Sequence, residues 1–586
     1  MDKKKSIINI SISLITKVII LVISLFTQSF LVKWAGNTVN GLNSLYSSII
    51  GFLAVADLGI GSAIIFSMYK PIVEGDKQKV SALYNLYKKV YFVIGMVILV
   101  GGLLITPAVP HLAKDYQDIN SSTIYITFII MLISVVLSYG YSSQSSLINA
   151  YKNNYVTTLI NSLTTILKRG LQILVLFLWH SFTLYLVVMI VATLFEWALT
   201  TLYTKKHYKD IISTKEKVDE NTKKEIIKDT KAMFMHKIGA VLVNTIDSII
   251  ISSFIGVVML GKYSNYVMIM TSMTGVLDLF FQPLTSVIGH LCAKESIEEQ
   301  KKYFRFMYLF NFTLAIIFFL GYYAVIDNVV LWWMQGESSL ILAKDVSLII
   351  TINNFITFMR RTVNTYRDAT GTFYYDRFKP IAEGVMNLAL SIAFVYWIGL
   401  VGVIVATILT SLFICHIVEP YVVYKHAFKQ SPKKYYILNY SLMLVFGVCL
   451  TAVHFSMQQT GNFKIDFVIN GFIAVAIALV PIIVILCISK EYRTNMKKAF
   501  KFVFGLFKFK KKEKVYPENP NKTQLNQALI SQNSSSQNEE NIVETVDEAL
   551  FKKTENDVKD EVKENIEKTE TQDEVNQNLL NEDEEK

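Results

Sequence analysis

The feature that most constrains this sequence is the recurrence of apolar runs of about 20 residues, each long enough for one helix to cross a bilayer. Of the 586 residues, 52% are hydrophobic and only 18% are charged, which is more apolar surface than a soluble core can bury. Transmembrane β-barrels are excluded, because their strands alternate over roughly ten residues. The chain is therefore predicted to be an all-α polytopic membrane protein.

These runs predict about fourteen transmembrane helices. They lie near residues 7–32, 42–69, 90–112, 122–148, 155–179, 182–203, 233–255, 263–290, 303–326, 339–359, 379–399, 401–424, 436–456 and 465–489. With the N-terminus inside, the inner loops up to residue 514 hold 41 Lys and Arg residues, whereas the outer loops hold five. Because cytoplasmic loops accumulate Lys and Arg, both termini are expected in the cytosol.

A weak internal repeat divides the first twelve spans into two sets of six. A shift of 220 residues aligns span 1 with span 7 and places Gly36 on Gly256 and Gly41 on Gly261. Six spans per copy give both copies the same orientation, as in transporters whose substrate site lies between two parallel repeats. We therefore expect two pseudo-symmetric six-helix lobes around a central cavity, followed by two C-terminal helices.

The chain is accordingly divided into six segments. They are an N-terminal lobe (1–203), a cytosolic inter-lobe loop (204–232), a C-terminal lobe (233–430), helices 13 and 14 (431–489), a basic amphipathic membrane-surface segment (490–514) and an acidic disordered cytosolic tail (515–586). The tail holds 19 Asp and Glu residues against 7 Lys, although the whole chain carries a net charge of +10. It is either simply solvated or a docking site for cytosolic assembly enzymes.

Charged side chains within the spans are costly, so each predicts a function or a partner. Lys17 lies about ten residues into span 1, with Ser24 and Gln28 seven and eleven residues later on the same helical face. Lys237, Asn244 and Ser248 repeat this spacing in span 7. Each lysine either faces the central cavity or serves to hold helices together and reach the inner surface. Several cations around one cavity would form an anion site suited to phosphate.

Two adjacent cations, Lys168 and Arg169, lie midway along span 5 and point about 100° apart. One is expected to face the cavity, while the other pairs with an acid such as Glu196 or Glu383. The candidate substrate-binding set is therefore Lys17, Gln28, Lys168, Arg169, Lys237 and Asn244.

Acidic residues within the spans either pair with a cation, bind a coupling cation or relay a proton. The candidates are Asp57, Asp247, Asp278 and Glu383, of which Asp247 is the strongest coupling candidate because it lies deep in span 7. In contrast, Arg360 and Arg361 at the inner end of span 10 are expected to contact lipid phosphates.

No enzymatic site, metal site or cofactor is predicted. The chain has no phosphate-binding Gly-x-x-x-x-Gly-Lys-Ser/Thr loop, and no outer loop exceeds about a dozen residues. The four cysteines lie in apolar runs without metal-ligand spacing, and the pair His416 and Glu419 does not identify a metal site. Nothing in the sequence indicates a nucleic-acid partner.

The stretch from Gly41 to Lys89 resembles the second span and first inner loop of bacterial polysaccharide repeat-unit flippases, of the multidrug/oligosaccharidyl-lipid/polysaccharide exporter superfamily. The resemblance rests on Gly41-Leu-Asn-Ser-Leu-Tyr46, Ala56-Asp-Leu-Gly-Ile-Gly-Ser-Ala-Ile-Ile65, Tyr69-Lys-Pro71 and Leu83-Tyr-Asn-Leu-Tyr-Lys-Lys89. It implies a bacterial plasma-membrane carrier that exports undecaprenyl-diphosphate-linked oligosaccharides by alternating access, for capsule or exopolysaccharide synthesis.

Three other functions remain open. A cation-coupled multidrug antiporter of the same superfamily would use the intramembrane acids, and a flippase for the peptidoglycan precursor lipid II would share the architecture and the diphosphate. A membrane scaffold that recruits enzymes through its tail is the third, although it leaves the intramembrane charges unexplained.

Overall fold

The computed structural model describes residues 3–57, 60–116, 119–214, 216, 218, 241, 245–281 and 284–497. Almost all of these residues are helical, and no β-strand occurs among them. The prediction of an all-α polytopic protein is confirmed. Lys237, Asn244 and the segment 515–586 lie outside these ranges.

The first half of the chain contains nine helices in its described part. They are α1 (Lys3–Ala35), α2 (Asn37–Leu53), α3 (Ile60–Val73), α4 (Lys77–Ile105), α5 (Val109–Leu112), α6 (Ser121–Ala150), α7 (Asn154–Trp179), α8 (Phe182–His207) and α9 (Lys209–Ser213). Predicted span 2 is divided between α2 and α3.

Ten helices follow from residue 245 onward in the ranges that the structure covers. They are α10 (Thr245–Ile255), α11 (Val257–Phe281), α12 (Leu284–Lys294), α13 (Ile297–Trp333), α14 (Lys344–Met359), α15 (Arg361–Ala369), α16 (Lys379–Thr410), α17 (His416–Val422), α18 (Lys433–Ser456) and α19 (Phe463–Ile488). Predicted span 8 is divided between α11 and α12.

Several helices have an N-cap residue, whose side chain accepts a hydrogen bond from a backbone N–H in the first turn. Asp76 accepts from the N–H of Lys79 before α4, and Ser296 accepts from the N–H of Glu299 before α13. Such caps satisfy donors that have no partner within the helix. These helices therefore have defined starting points.

Nine helical runs in the described ranges are long and apolar enough to cross a membrane, and the longest of them, residues 379–427, contains predicted spans 11 and 12. Helical geometry is lost at Ile398 and Gly399, where Gly399 has φ 58°. Asn387 Nδ2 donates to Thr407 Oγ1 at 2.8 Å. Twenty residues of straight helix would separate these groups by about 30 Å, so the chain turns back and the two spans are antiparallel neighbours.

The helices pack in two groups. In the first lobe, α1 lies along α7, and α6 packs between α4 and α8. In the second lobe, α14 packs against both α13 and α16, while α19 lies along α13 beside α18. The main helix pair joining the two lobes is α2 with α11. This arrangement matches the predicted two-lobed architecture.

Candidate functional site

The two lobes meet where α2 and α11 approach closely, at positions that the repeat relates. Gly36 and Gly256, with φ values of 91° and 131°, directly precede these two helices. Positive φ favours glycine, so the same backbone turn starts both helices. A Cβ on Gly41 would lie 1.9 Å from the Val257 carbonyl oxygen. This helix pair therefore requires glycine at position 41.

The repeat-related Gly261 has the same role on the opposite helix, since a Cβ there would lie 2.4 Å from the Asn37 carbonyl oxygen. The buried Asn40 amide lies between the helices, with its Nδ2 2.9 Å from the Gly261 carbonyl oxygen and 3.0 Å from Asn265 Oδ1. Gln28 Nε2 donates to Asn40 Oδ1 and lies 3.3 Å from Asn265 Oδ1. Gln28, predicted to bind substrate, thus belongs to the helix contact in this conformation.

A loop of the first lobe extends this contact. The backbone N–H of Lys114 donates to the Ser252 carbonyl at 3.2 Å, and the N–H of Val257 donates to the Lys114 carbonyl at 2.9 Å. Ser29 Oγ also donates to the Trp333 carbonyl at 2.9 Å. We call these interactions, together with those of Gln28, Asn37, Asn40, Gly41, Gly261 and Asn265, the outer inter-lobe contact, because the predicted topology places their loops outside.

Lys17 lies on α1 with an exposed side chain. No acid lies within 4 Å of it in the part of the chain that the structure describes. Because α1 packs along α7, Lys17 and the predicted cations Lys168 and Arg169 lie on neighbouring helices.

Glu196 on α8 faces a polar stripe on α7. Its Oε1 accepts from Asn161 Nδ2 and its Oε2 accepts from Thr164 Oγ1, both at 3.2 Å. Lys168 follows on the same face, seven residues after Asn161 and four after Thr164, and lies within electrostatic reach of Glu196. The first lobe thus holds one acid among neutral donors, with a half-buried lysine beside it.

Arg169 points elsewhere. Its Nη1 lies 3.3 Å from both Gln172 Oε1 and the Tyr185 hydroxyl, and its buried Nε has no hydrogen-bond partner among the described residues. Arg169 therefore has neutral neighbours, while Lys168 is the cation near Glu196. Glu383, considered as a partner for these cations, lies in a different ion cluster, which corrects that expectation.

In the second lobe, Asp247 connects two antiparallel spans. Its Oδ2 accepts from Thr407 Oγ1 at 3.1 Å, and Thr407 in turn accepts from Asn387. Asp247 Oδ1, Asn387 Oδ1 and Ser391 Oγ are buried and have no hydrogen-bond partner in the described ranges. Ser391 lies one helical turn after Asn387, so both face the same side of α16. We call Asp247, Asn387, Ser391 and Thr407 the Asp247 cluster.

This donor set has a specific chemical capacity. Buried polar groups rarely remain without partners, and hard cations such as alkali and alkaline-earth ions prefer carboxylate, hydroxyl and carbonyl oxygens. The Asp247 cluster can therefore accept a proton or a cation. No group of three or more His, Cys, Asp or Glu side chains with metal-site geometry occurs in the described part of the chain.

The inner end of the second lobe holds a compact set of buried opposite charges, which we call the inner ion cluster. Arg360 Nη2 lies 2.6 Å from Glu419 Oε1, and Arg360 Nη1 lies 3.5 Å from Glu383. Lys379 Nζ lies 2.9 Å from Glu383 and 2.7 Å from Glu419. Arg367 adds a contact with Glu419 at 3.8 Å. The expectation that Arg360 contacts lipid phosphates is therefore wrong, because buried carboxylates bind its guanidinium.

Arg367 lies on α15, in the short segment between two spans. Burial would lower the pKa of its guanidinium, but the charges of Glu419, Asp376 and Asp368 outweigh this and hold the pKa above its usual value. Arg367 Nη1 lies 3.0 Å from Asp376. Arg367 thus stays charged within the inner ion cluster.

The remaining predicted residues fall in three places. Asp278 pairs with Arg361, so the second arginine that was expected to contact lipid phosphates has a carboxylate partner instead. Asp57 ends the short helical turn after α2, and its side chain lies outside the described part. Lys237 and Asn244 also lie outside the described residues. That they face the cavity therefore stays a prediction.

Comparison with known proteins gives a match at the level of fold. No protein-family model matches the chain, and no curated protein sequence matches it. The structure "Lipid II flippase MurJ, inward closed conformation" is similar with TM-score 0.59 and 13% identity, over 80% of this chain and 97% of that one. An inward-facing multidrug resistance MATE family transporter of the MOP superfamily is similar with TM-score 0.52 and 15% identity, over 68% of this chain and 96% of that one. This chain has the fold of the MOP superfamily transporters.

Proposed function

We propose that this protein is a flippase that moves undecaprenyl-diphosphate-linked oligosaccharides from the inner to the outer leaflet. The observation that carries the proposal is the exposed Lys17 on α1, a helix that packs along α7, where the half-buried Lys168 lies. Charge interactions strengthen away from bulk water, and lysine suits phosphate as a point charge. A structure with the same fold is described as a lipid II flippase, which supports a lipid-linked cargo.

Alternating access supplies the mechanism. The outer inter-lobe contact closes one side of the carrier through close glycine packing and the Asn40 amide. Rocking of the lobes would separate α2 from α11 and open the cavity outward. The diphosphate would bind the first-lobe lysines while the sugar crosses between the lobes and the lipid tail stays in the bilayer.

The test is complementation of a strain lacking the gene. Loss of the protein should trap lipid-linked repeat units on the cytosolic side, and the wild-type chain should restore export. Lys17→Ala should reduce export by about 10- to 150-fold, because a hydrogen bond to a charged group contributes roughly 1.5–3 kcal/mol. Normal export by Lys17→Ala would remove this residue from the mechanism.

The matched control is Lys205→Ala. Lys205 is an exposed lysine in the last turn of α8 and has no ion pair in the described ranges. Its variant loses the same charge at the end of α8 and should export normally. Equal loss in both variants would show that net charge, and not the position of Lys17, controls export.

We further infer that the Asp247 cluster binds the cation or proton that drives the cycle. The supporting observation is its three buried oxygens without partners, of which one belongs to a carboxylate. Asp247→Asn keeps the size of the side chain and removes its charge, so export should become independent of the driving ion gradient. Asp327→Asn is the control, since Asp327 already pairs with Lys344 at 2.9 Å and should retain gradient dependence.

The multidrug antiporter remains the second candidate because a MATE transporter shares the fold. Reconstituted vesicles separate the two functions and the lipid II alternative. An oligosaccharide linked to undecaprenyl diphosphate, lipid II and a cationic dye should be offered in turn. Transport of the dye alone, with its dependence on Asp247 kept, would establish the antiporter and overturn the flippase.

A further inference from the structure

A basic groove of about 860 Å³ lies at the inner ends of several second-lobe helices, away from the Asp247 cluster. Its walls come from the first turns of α13 and α18, the connection before α18, and the helical segment 490–497 after α19. The lining residues are Glu298, Lys301, Lys302, Phe304, Arg305, Tyr308, Tyr424, Gln430, Ser431, Lys433, Lys434, Tyr435, Leu438 and Glu491.

The lining contains five cations and two acids. Lys301 donates to Gln430, and Lys302 pairs with Glu299. The other three cations, Arg305, Lys433 and Lys434, are exposed and have no acid within 4 Å in the part of the chain that the structure covers. The groove therefore presents an unbalanced positive charge to an anionic ligand.

Beneath these cations the groove has a rigid aromatic floor. Phe304 and Tyr424 meet edge to face with ring centroids 5.7 Å apart, and Tyr308 and Tyr435 do so at 5.1 Å. Phe304, Tyr308 and Tyr435 are almost fully buried. Such packing supports the wall from behind, and the half-buried Tyr424 and Leu438 would present a preformed apolar surface to a bound ligand.

An exposed apolar stripe continues from the groove along α18. Lys433 at the first position of this helix is followed on the same face by Ile437, Leu444 and Val448, which are 70%, 70% and 63% exposed. Because α18 is long and apolar enough to cross a membrane, this stripe suits contact with acyl chains. One helix face thus carries a cation at its end and lipid-compatible side chains below it.

We propose that the groove binds the phosphate headgroup of an anionic phospholipid of the inner leaflet, whose acyl chains lie on the exposed stripe of α18. Basic pockets between transmembrane helices on the cytoplasmic side recognise anionic headgroups by charge, which the three unpaired cations supply here. Free phosphate would use the cations but gain nothing from the stripe. This site is separate from the proposed cargo site and does not depend on the proposed function.

The test measures lipid retention by the full-length protein. Delipidated protein is mixed with phosphatidylglycerol or phosphatidylcholine of identical acyl chains, and bound lipid is counted by native mass spectrometry. The triple variant Arg305→Gln/Lys433→Gln/Lys434→Gln should bind phosphatidylglycerol about 100-fold more weakly, since each Lys or Arg near a membrane surface contributes about a fivefold attraction. Its binding of phosphatidylcholine should not change.

The matched control is Lys205→Gln/Lys206→Gln/Lys209→Gln, which removes three exposed lysines from the end of the first lobe. It should bind phosphatidylglycerol as the wild-type protein does. If the triple groove variant does not fold, Lys433→Gln compared with Lys205→Gln gives the same test, with about fivefold to tenfold weaker binding expected.

Four outcomes would overturn the proposal. The first two are equal retention of both lipids by the wild-type protein and an equal loss of phosphatidylglycerol binding in the groove and control variants. The other two are displacement of phosphatidylglycerol by millimolar inorganic phosphate and preferential binding of a peptide of residues 515–586 in the groove. Loss of lipid retention with normal export would leave the proposed function intact. Loss of export with normal retention would affect only the proposed function.

Discussion

The charged side chains within the spans have different kinds of partner in the two lobes. In the first lobe, Glu196 is held by the neutral donors of Asn161 and Thr164, and Arg169 contacts neutral groups. In the second lobe, Glu419 alone is shared by two arginines and a lysine. The duplicated halves therefore share helices and glycine contacts but differ in how their charges are satisfied.

This difference indicates a division of roles. Charges that are mutually paired in a buried cluster are unavailable to a ligand, and removing one partner leaves the others uncompensated. A charged group that has neutral partners, or no partner, can bind a ligand at a lower cost in free energy, because no opposite charge is left unpaired. We infer that the second lobe uses most of its charges for rigidity and only the Asp247 cluster for exchange, whereas the first lobe presents Lys17 and Lys168 to cargo.

The largest expected effect is on Glu419. Glu419→Gln should lower the free energy of unfolding by about 3–5 kcal/mol, because Arg360 and Lys379 lose a shared buried carboxylate. The midpoint of thermal unfolding in detergent measures this. The double variant Arg360→Met/Glu419→Gln should recover part of the loss, since Lys379 keeps Glu383. Wild-type stability of Glu419→Gln would contradict the assignment of a structural cluster.

An intermediate effect is expected at the outer inter-lobe contact. Gly41→Val would force a side chain onto the Val257 carbonyl, so the contact should open at a cost of about 1–3 kcal/mol. In a background without the four native cysteines, Ser264→Cys should then react several-fold faster with a membrane-impermeant maleimide applied outside.

Gly275→Val is the control for this effect. It places the same side chain on α11, where a Cβ has no neighbour within 4 Å. Maleimide labelling should match that of the parent protein. Equally fast labelling in both variants would indicate general loosening of the helices and not opening of one contact.

The smallest effect on stability is expected at Glu196. A glutamine at this position keeps one oxygen to accept from the Asn161 amide, and its Nε2 can donate to the Thr164 hydroxyl, so Glu196→Gln should change the free energy of unfolding by less than about 1 kcal/mol. Thermal unfolding beside Glu419→Gln makes the comparison direct. A loss as large as that of Glu419→Gln would end the distinction between the lobes.

Several features were predictable because local chemistry determines them. Apolar runs located most of the described helices, although predicted spans 2 and 8 are each divided between two helices. The 220-residue repeat identified Gly36 with Gly256, and both have a positive φ in the structure. Polar residues that proved central were missed. Asn40, Thr407 and Asn387 are uncharged, and a neutral side chain in a span carries no signal of its own in one sequence.

The sequence determined the element type, since crossing hydrocarbon requires helices of a certain length and apolarity. Tertiary structure alone decided which charges meet. Arg360 and Glu419 are 59 residues apart and come together only because the chain reverses at Gly399 and returns α17 to the end of α14. Electrostatic energy depends on distance in space and on burial, so a charge that suggests lipid contact in the sequence becomes part of a buried cluster when helices pack.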